Sequence, residues 1–357
     1  MCAREKILLL DLLQILKKHT DESHRLAQHE IIEILNRDYD TFPKRKTVKN
    51  NIEKLLRYGE GPDGNEILHT IKIRRQNDMD TEDVTEVYTD FGYVHDFTHS
   101  ELRFMIDSIL LSRQIPSAQR EELIEKLTNL TSKHFNARMK HIRRLEEDRP
   151  ATNNLFYTIG IIDDAISQSR KISFHYKKYT VDEKSKLVEA CQENQDGTPR
   201  EYIINPYQMA VANGRYYLIC NNDKYDNISH YRLDRILNIK MLTEKRKPAE
   251  DVKGLEYGLN LPKHMTEHIY MFTGQSASIR LRFKKSFLNE FVDWFGTKNV
   301  IFSEQTEDEI TARVTANEIA MRKWALQYAL HVKVLSPESL VNQIKEDIRQ
   351  ASKNYFT

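Results

Sequence analysis

Residues 202–220, YIINPYQMAVANGRYYLIC, constrain the fold more than any other stretch of this chain. Two strand-like runs, 202–211 and 215–220, flank Ala212-Asn213-Gly214. Asn-Gly between such runs is the strongest short-range signal for a tight hairpin, because both central residues tolerate positive φ. A further run, 228–233, follows a polar turn, and another covers 238–242. With residues 171–179 ahead of them, these runs predict a five-stranded antiparallel unit. Residues 182–201, DEKSKLVEACQENQDGTPRE, are polar and broken by Gly and Pro, which predicts a long exposed hairpin tip. Such a unit uses only about a fifth of the chain, so the remainder must fold separately.

The chain has 357 residues, room for roughly two to four domains. Its 39% apolar and 30% charged composition suits several small domains better than one large core. With 54 basic and 53 acidic residues, net charge selects no partner, and any anion-binding surface must come from local clustering. Cys2, Cys191 and Cys220 are odd in number and far apart, which fits a reducing compartment and neither a disulfide framework nor a zinc signature. No apolar run approaches membrane-spanning length. LLLDLLQIL near the start is interrupted by Asp11 and Gln14, and no small-residue cleavage site follows it. A cytoplasmic protein without a membrane partner is expected.

The first 95 residues read as three helices and a hairpin. Ile7, Leu8, Leu12, Ile15 and Leu16 repeat with helical period, as do Leu26, Ile31, Ile34 and Leu35. A third helix runs from about 46 to Gly59, the GEGPDGNE segment turns, and strands follow at 67–74 and 85–93. This is the order of a winged helix-turn-helix. Residues 44–57, KRKTVKNNIEKLLR, carry six cations against one acid, Glu53. On a helical wheel Val48, Ile52, Leu55 and Leu56 form one stripe, and Lys46, Asn50, Lys54 and Arg57 point away from it. A recognition helix needs this division: an apolar face to hold it, and cations and an amide to meet phosphates and base edges. Lys44, Arg45, Lys46, Thr47, Lys49, Asn50 and Lys54 are therefore the candidate contacts to duplex DNA, with Lys72 and Arg74 (and beside them Arg75) from the wing.

Helices are expected at 100–113 and 117–134, with Ser100 and Ser117 as N-caps, followed by a linker over 136–154. Leu102, Met105, Ile109, Leu123, Leu127 and Leu130 recur in helical register, more apolar surface than two free helices leave open, which points to a homodimer. Residues 279–335 read strand, helix, strand, strand, helix, strand, the order of a ferredoxin-like α/β sandwich, and a last helix follows the expected N-cap Ser336. The expected class is thus α+β with several domains: 1–95 winged helix, 96–154 helical linker, 155–245 β unit, 270–357 ferredoxin-like unit.

Tyr216-Tyr217-Leu218, Pro206 in the preceding strand and the pair Arg232-x-x-Arg235 together resemble the WYL domain of bacterial transcriptional regulators, whose triplet is Trp-Tyr-Leu. The resemblance implies an SH3-like small β-barrel that binds an anionic ligand, often a nucleotide or nucleic acid, and a C-terminal extension is common in such regulators. Lys46-Thr-Val-Lys-Asn-Asn-Ile is similar to the recognition helix of DeoR-like winged-helix repressors, with Asn50 and Asn51 departing from the usual Arg and Asp. Arginine forks hold phosphates and aromatic faces stack on bases, so Tyr176, Tyr207, Tyr217, His230, Arg232 and Arg235 are the candidate ligand residues. Arg200 and Arg215 are weaker candidates at turns, and Asp234 is expected to orient an arginine. The function implied is a ligand-responsive regulator. The alternative is an accessory protein whose barrel binds single-stranded RNA or DNA, with the N-terminal domain used for docking or dimerisation. His264-Met-Thr-Glu267-His268 matches H-x-x-E-H, but no acidic third ligand follows in helical context, so zinc catalysis is set aside. No P-loop, G-x-S-x-G or dinucleotide fingerprint occurs, and neither a cofactor nor enzyme chemistry is expected.

Overall fold

A computed structural model describes residues 2–59, 67–76, 84–112, 114–135 and 155–356, and gives the backbone alone for 2–6, 59, 71–76 and 84–87. The turn at 60–66 and the linker at 136–154 lie outside the described residues. The chain divides into two compact units, Met1–Pro150 and Ala151–Thr357.

In the first unit, α1 (Cys2–His19), α2 (Gln28–Asp38) and α3 (Arg45–Gly59) precede the antiparallel hairpin β1 (Leu68–Gln76) and β2 (Val84–Tyr93). Leu12, Ile15, Leu16, Ile31, Leu35, Val48 and Ile52 make one buried core. Helical spacing puts each helix's apolar stripe on the side where the other two lie. Leu26 exchanges both backbone hydrogen bonds with Phe91, at 3.0 and 2.9 Å, and so ties the α1–α2 connection to the hairpin. The Thr20 hydroxyl donates to Leu16 O and accepts from Tyr93 N–H, closing the end of α1 onto β2.

α4 (His99–Leu111) and α5 (Ser117–Thr128) follow. Thr98, not Ser100, caps α4, because Glu101 stands three residues after Thr98 and completes a reciprocal capping box. Ser117 is the first residue of α5 rather than its cap. The helix ends at Thr128, short of the expected 134. Lys133 N–H donates to Lys18 O at 2.8 Å, and this turn swings Phe135 into a core with Leu102, Ile106 and Leu110. Leu102 is therefore fully buried within the protomer and not part of an open stripe. Met105 and Leu127 pack partly against the same cluster. Large apolar side chains that face outward here include Phe104 at 74% exposure, Leu111 at 58% and the expected Leu130 at 38%.

The second unit opens with α6 (Leu155–Ser167), then β3 (Arg170–Val181), β4 (Leu187–Cys191), β5 (Glu201–Ala212), β6 (Arg215–Asn221), β7 (Ile228–Arg232) and β8 (Ile236–Lys245). The strands run antiparallel in the order β4-β3-β5-β6-β7, with β8 also on β3, and form a curled half-barrel sheet. Asn213 and Gly214 take φ of 50° and 68°, the mirror-image turn that their pairing predicts. The segment expected to be a bare hairpin tip contributes β4, which pairs with residues 177–181. The sheet therefore has six strands where five were expected.

The chain continues with α7 (Leu261–Glu267), β9 (Ser276–Lys284), α8 (Leu288–Phe295), β10 (Val300–Gln305), β11 (Glu309–Asn317), α9 (Glu318–Gln327), β12 (Val332–Ser336) and α10 (Glu338–Lys353). β9 to β12 form an antiparallel sheet in the order β10-β11-β9-β12. Trp324, fully buried, packs with Phe287, Phe291 and Phe295 of the 285–295 segment. Gly296 at φ 69° stops α8, and the Asn317 side chain accepts from Ala320 N–H to start α9, both as predicted. Pro337, not Ser336, occupies the N-cap position of α10. Among the described residues no helix is long and apolar enough to cross a membrane.

Candidate functional site

α3 buries Val48, Ile52 and Leu55 and exposes Arg45, Lys46, Lys49, Asn50, Lys54 and Arg57. Lys44 is exposed one residue ahead of the helix, and Thr47 is half-buried. Asn51 turns inward, where its amide donates to Thr47 O at 2.9 Å. Arg45 is tied to α2 through Gln28, whose amide donates to Arg45 O at 2.7 Å. Lys49 lies 3.8 Å from Glu53, the helix's one acid, and both are exposed enough that water screens the pair. The outward face is thus cationic with one amide. Lys72 and Arg74 belong to β1, but their side chains lie outside the described residues.

In the second unit β3 and β7 converge on a second cluster. The Tyr176 hydroxyl accepts from Arg232 N–H at 3.0 Å. The Arg232 guanidinium meets Asp234 through two parallel bonds of 2.9 and 2.5 Å, so Asp234 does hold an arginine in place. Burial alone would lower the Arg232 pKa, but the Asp234 carboxylate outweighs it and raises it. Among the described residues the buried Arg235 Nε has no hydrogen-bond partner, and its guanidinium stands 6.0 Å from the Tyr179 ring centre. Burial raises the Tyr176 pKa, while the Arg232 backbone bond and the Arg235 and Arg232 charges pull it back. Tyr231 leans on Phe174, Tyr176 and Tyr202, and Arg200 covers the Tyr202 ring at 4.7 Å.

The other three candidates are held by packing of their own. Tyr207 is buried and donates to Lys247 O at 2.8 Å, with the Arg246 guanidinium 5.0 Å from its ring. Tyr217 is buried in an apolar cluster with Ala210, Ala212, Ile219 and Met271, and it stands directly opposite Arg232 in the β6–β7 ladder. His230 Nε2 lies 2.8 Å from His264 Nε2, and the His264 and His268 rings stack at 4.1 Å. Burial, reinforced by the neighbouring imidazoles, lowers His230 to about 3 and His264 to about 4, and burial also lowers His268. These rings are neutral near pH 7, so His230 brings no charge to an anion. His264 and His268 border a cavity of about 790 Å³ together with Lys224, Lys253, Gln275 and Ser276. The i, i+4 spacing noted as a zinc motif was the signal for this cluster. Among the described residues no group of three or more His, Cys, Asp or Glu could hold a metal ion.

Residues 158–241 match the WYL domain family, and residues 276–352 match the WCX domain family. A WYL domain and a WCX domain are thus found in this chain. The first spans the curled sheet with the Tyr176–Arg232–Arg235 cluster, and the second spans the β9–β12 sheet with its helices. No curated protein matches in sequence. Among solved structures, proteasome accessory factor B/C (PafBC) of Arthrobacter aurescens is 14% identical, with 99% of this chain and 49% of that one covered and a TM-score of 0.27. The chain therefore spans about half of that protein's length. A CRISPR Cas-related protein is 13% identical, with 97% and 83% covered and a TM-score of 0.37. Neither overlap is close enough to compare sites.

Proposed function

We propose that this WYL-domain protein is a ligand-responsive transcriptional regulator. It binds duplex DNA through α3 and an anionic ligand, a nucleotide or nucleic acid, at Tyr176, Arg232 and Arg235. The observation that carries the reading is the division of α3, with Val48, Ile52 and Leu55 inside and Lys46, Lys49, Asn50, Lys54 and Arg57 outside. The three-helix order, the hairpin and the Leu26–Phe91 bridge support a winged helix-turn-helix. The β10-β11-β9-β12 order supports a ferredoxin-like sandwich for the WCX domain. The ligand reading is supported by Arg235, whose buried Nε has no hydrogen-bond partner among the described residues and so has a donor to offer. A cytoplasmic homodimer without enzymatic activity completes the proposal, since two-fold symmetry doubles the few base contacts of one helix. Met105, Ile109, Leu123, Leu127 and Leu130 remain its candidate interface residues, now joined by Phe104 and Leu111.

Selection of duplex DNA from a random pool by the full-length protein, followed by binding titrations with salt, tests the reading. Asn50→Ala should relax base preference and cost about 1–3 kcal/mol, while Lys54→Ala should weaken all sequences alike and reduce the salt slope by about one. Absence of salt-dependent duplex binding by the parent refutes it. The second reading, an accessory protein whose WYL domain grips single strands, draws on the same Arg235 Nε. It predicts that single strands bind more tightly than any duplex, and that Arg232→Ala and Arg235→Ala abolish that binding.

A further inference from the structure

The WCX sheet has one face under its helices and one face open. β9 sends Ile279, Leu281 and Phe283 into the core, so Arg280, Arg282 and Lys284 stand on the other side by strand alternation. β11 likewise buries Ala312 and Val314 and exposes Arg313, and β12 buries Val332 and Val334 and exposes Lys333. The register sets Arg313 directly opposite Arg280, and Lys333 directly opposite Arg282. Like charges placed opposite each other on a sheet face are destabilising. Glu304 of β10 lies 2.7 Å from Arg280 and 3.9 Å from Arg282, with its side chain 64% exposed. Glu309 stands opposite Lys284. Among the described residues Arg313 and Lys333 have no carboxylate partner. Five cations against two acids occupy one flat surface, in a chain whose net charge is +1.

We propose that this open face binds the sugar–phosphate backbone of single-stranded nucleic acid. Arg280 and Arg282 are two residues apart on one strand, roughly 6.6–6.8 Å, and neighbouring strands lie about 4.8 Å away. This grid lets one extended strand of phosphates meet several cations in turn. Three of the five are arginines, whose planar forks match phosphate oxygens in pairs. The face carries no aromatic ring among its described residues, so it does not stack bases. Its binding is therefore independent of sequence and steep in salt. A protein partner fits less well. Interface cores are apolar and depleted in charge, and here the one large apolar side chain in the array is Ile301, at the edge strand opposite Arg313. A lipid surface fits less well for the same reason, since peripheral helices and loops insert apolar side chains that this face lacks. The surface is on a different sheet from the Tyr176–Arg232–Arg235 cluster and does not depend on the function proposed for that cluster.

The test is fluorescence anisotropy of a labelled oligothymidylate with the full-length protein across a salt series. Arg280→Ala/Arg282→Ala should bind about tenfold more weakly, and the salt slope should fall by about 1.4, that is 0.7 for each lost contact. Arg313→Glu, a single exposed change, should weaken binding in the same direction. The comparison is repeated in an Arg232→Ala/Arg235→Ala background, which removes any contribution of the WYL cluster, so that the loss read from Arg280→Ala/Arg282→Ala belongs to the WCX face alone. Circular dichroism confirms that each variant is folded. Bound oligothymidylate should also raise the melting temperature of the parent, because it relieves the opposed charges. Folded variants that bind oligothymidylate like the parent overturn the proposal. So does a parent that ignores oligothymidylate while Arg280 and Arg282 support binding to phosphatidylserine vesicles or to an acidic peptide.

Discussion

Acidification should destabilise the second unit through its histidine cluster. His230, His264 and His268 are packed ring to ring, and burial favours their neutral forms. In the folded protein burial pushes His230 down to about 3 and His264 to about 4, from the 6.5 of an exposed histidine. Below that unfolded value the unfolded chain takes up protons that the folded one refuses. Stability is thus fully present above it and is lost as pH falls toward the folded values. Between the unfolded value and about pH 5, each histidine loses roughly 1.5 × 1.36, or about 2 kcal/mol. The two share a hydrogen bond, so the pair should contribute about 2–4 kcal/mol of loss. The chain's two tryptophans, Trp294 and Trp324, both lie in this unit, so urea unfolding followed by tryptophan fluorescence reports on it selectively. The parent should lose that stability between about pH 7 and about pH 5, and His230→Gln/His264→Gln should lose at least 2 kcal/mol less. If the parent and the double variant fall by equal amounts, the rings are not held neutral by the fold and the reasoning is wrong.

Three more outcomes follow from the packing. The Asp21 carboxylate accepts from Ser23 N–H, His24 N–H, the His24 ring and the Ser132 hydroxyl; burial raises its pKa, but these bonds prevail and lower it. Asp21→Ala should destabilise the first unit by roughly 2–4 kcal/mol, measured as faster amide exchange in α1 and at residues 132–135. Trp324→Ala should cost about 3–5 kcal/mol in chemical unfolding, read from Trp294, since it empties the centre of the aromatic core. Tyr207→Phe should cost only about 0.5–1.5 kcal/mol and leave any ligand response unchanged, because its hydroxyl serves Lys247 O and not a ligand; a lost response would return Tyr207 to the site.

Local chemistry decided much of this protein. The i, i+4 spacing of Val48, Ile52 and the neighbouring leucines determined α3 and the side on which its cations stand. Asn213-Gly214 determined the hairpin, and Asn317 and Gly296 determined helix ends, because each acts through its own backbone or its nearest N–H. Tyr216-Tyr217-Leu218, Pro206 and the Arg232–Arg235 pair carried the WYL resemblance, and a WYL and a WCX domain are found in the second unit. What the tertiary structure alone decided involves choices between neighbours or partners remote in sequence. Thr98 caps α4 rather than Ser100 because Glu101 reaches back to it. β4 pairs through backbone groups, which leave little trace in a polar segment. Leu102 has the periodicity of a surface stripe, yet Phe135 covers it. Six candidate ligand residues looked alike, but Tyr207 turns to Lys247 and His230 meets His264 across 34 positions of sequence, while Tyr176 and Tyr217 stay beside Arg232. Periodicity reports which face of an element is apolar. Which element lies against that face depends on closing long loops, and no local pattern encodes that choice.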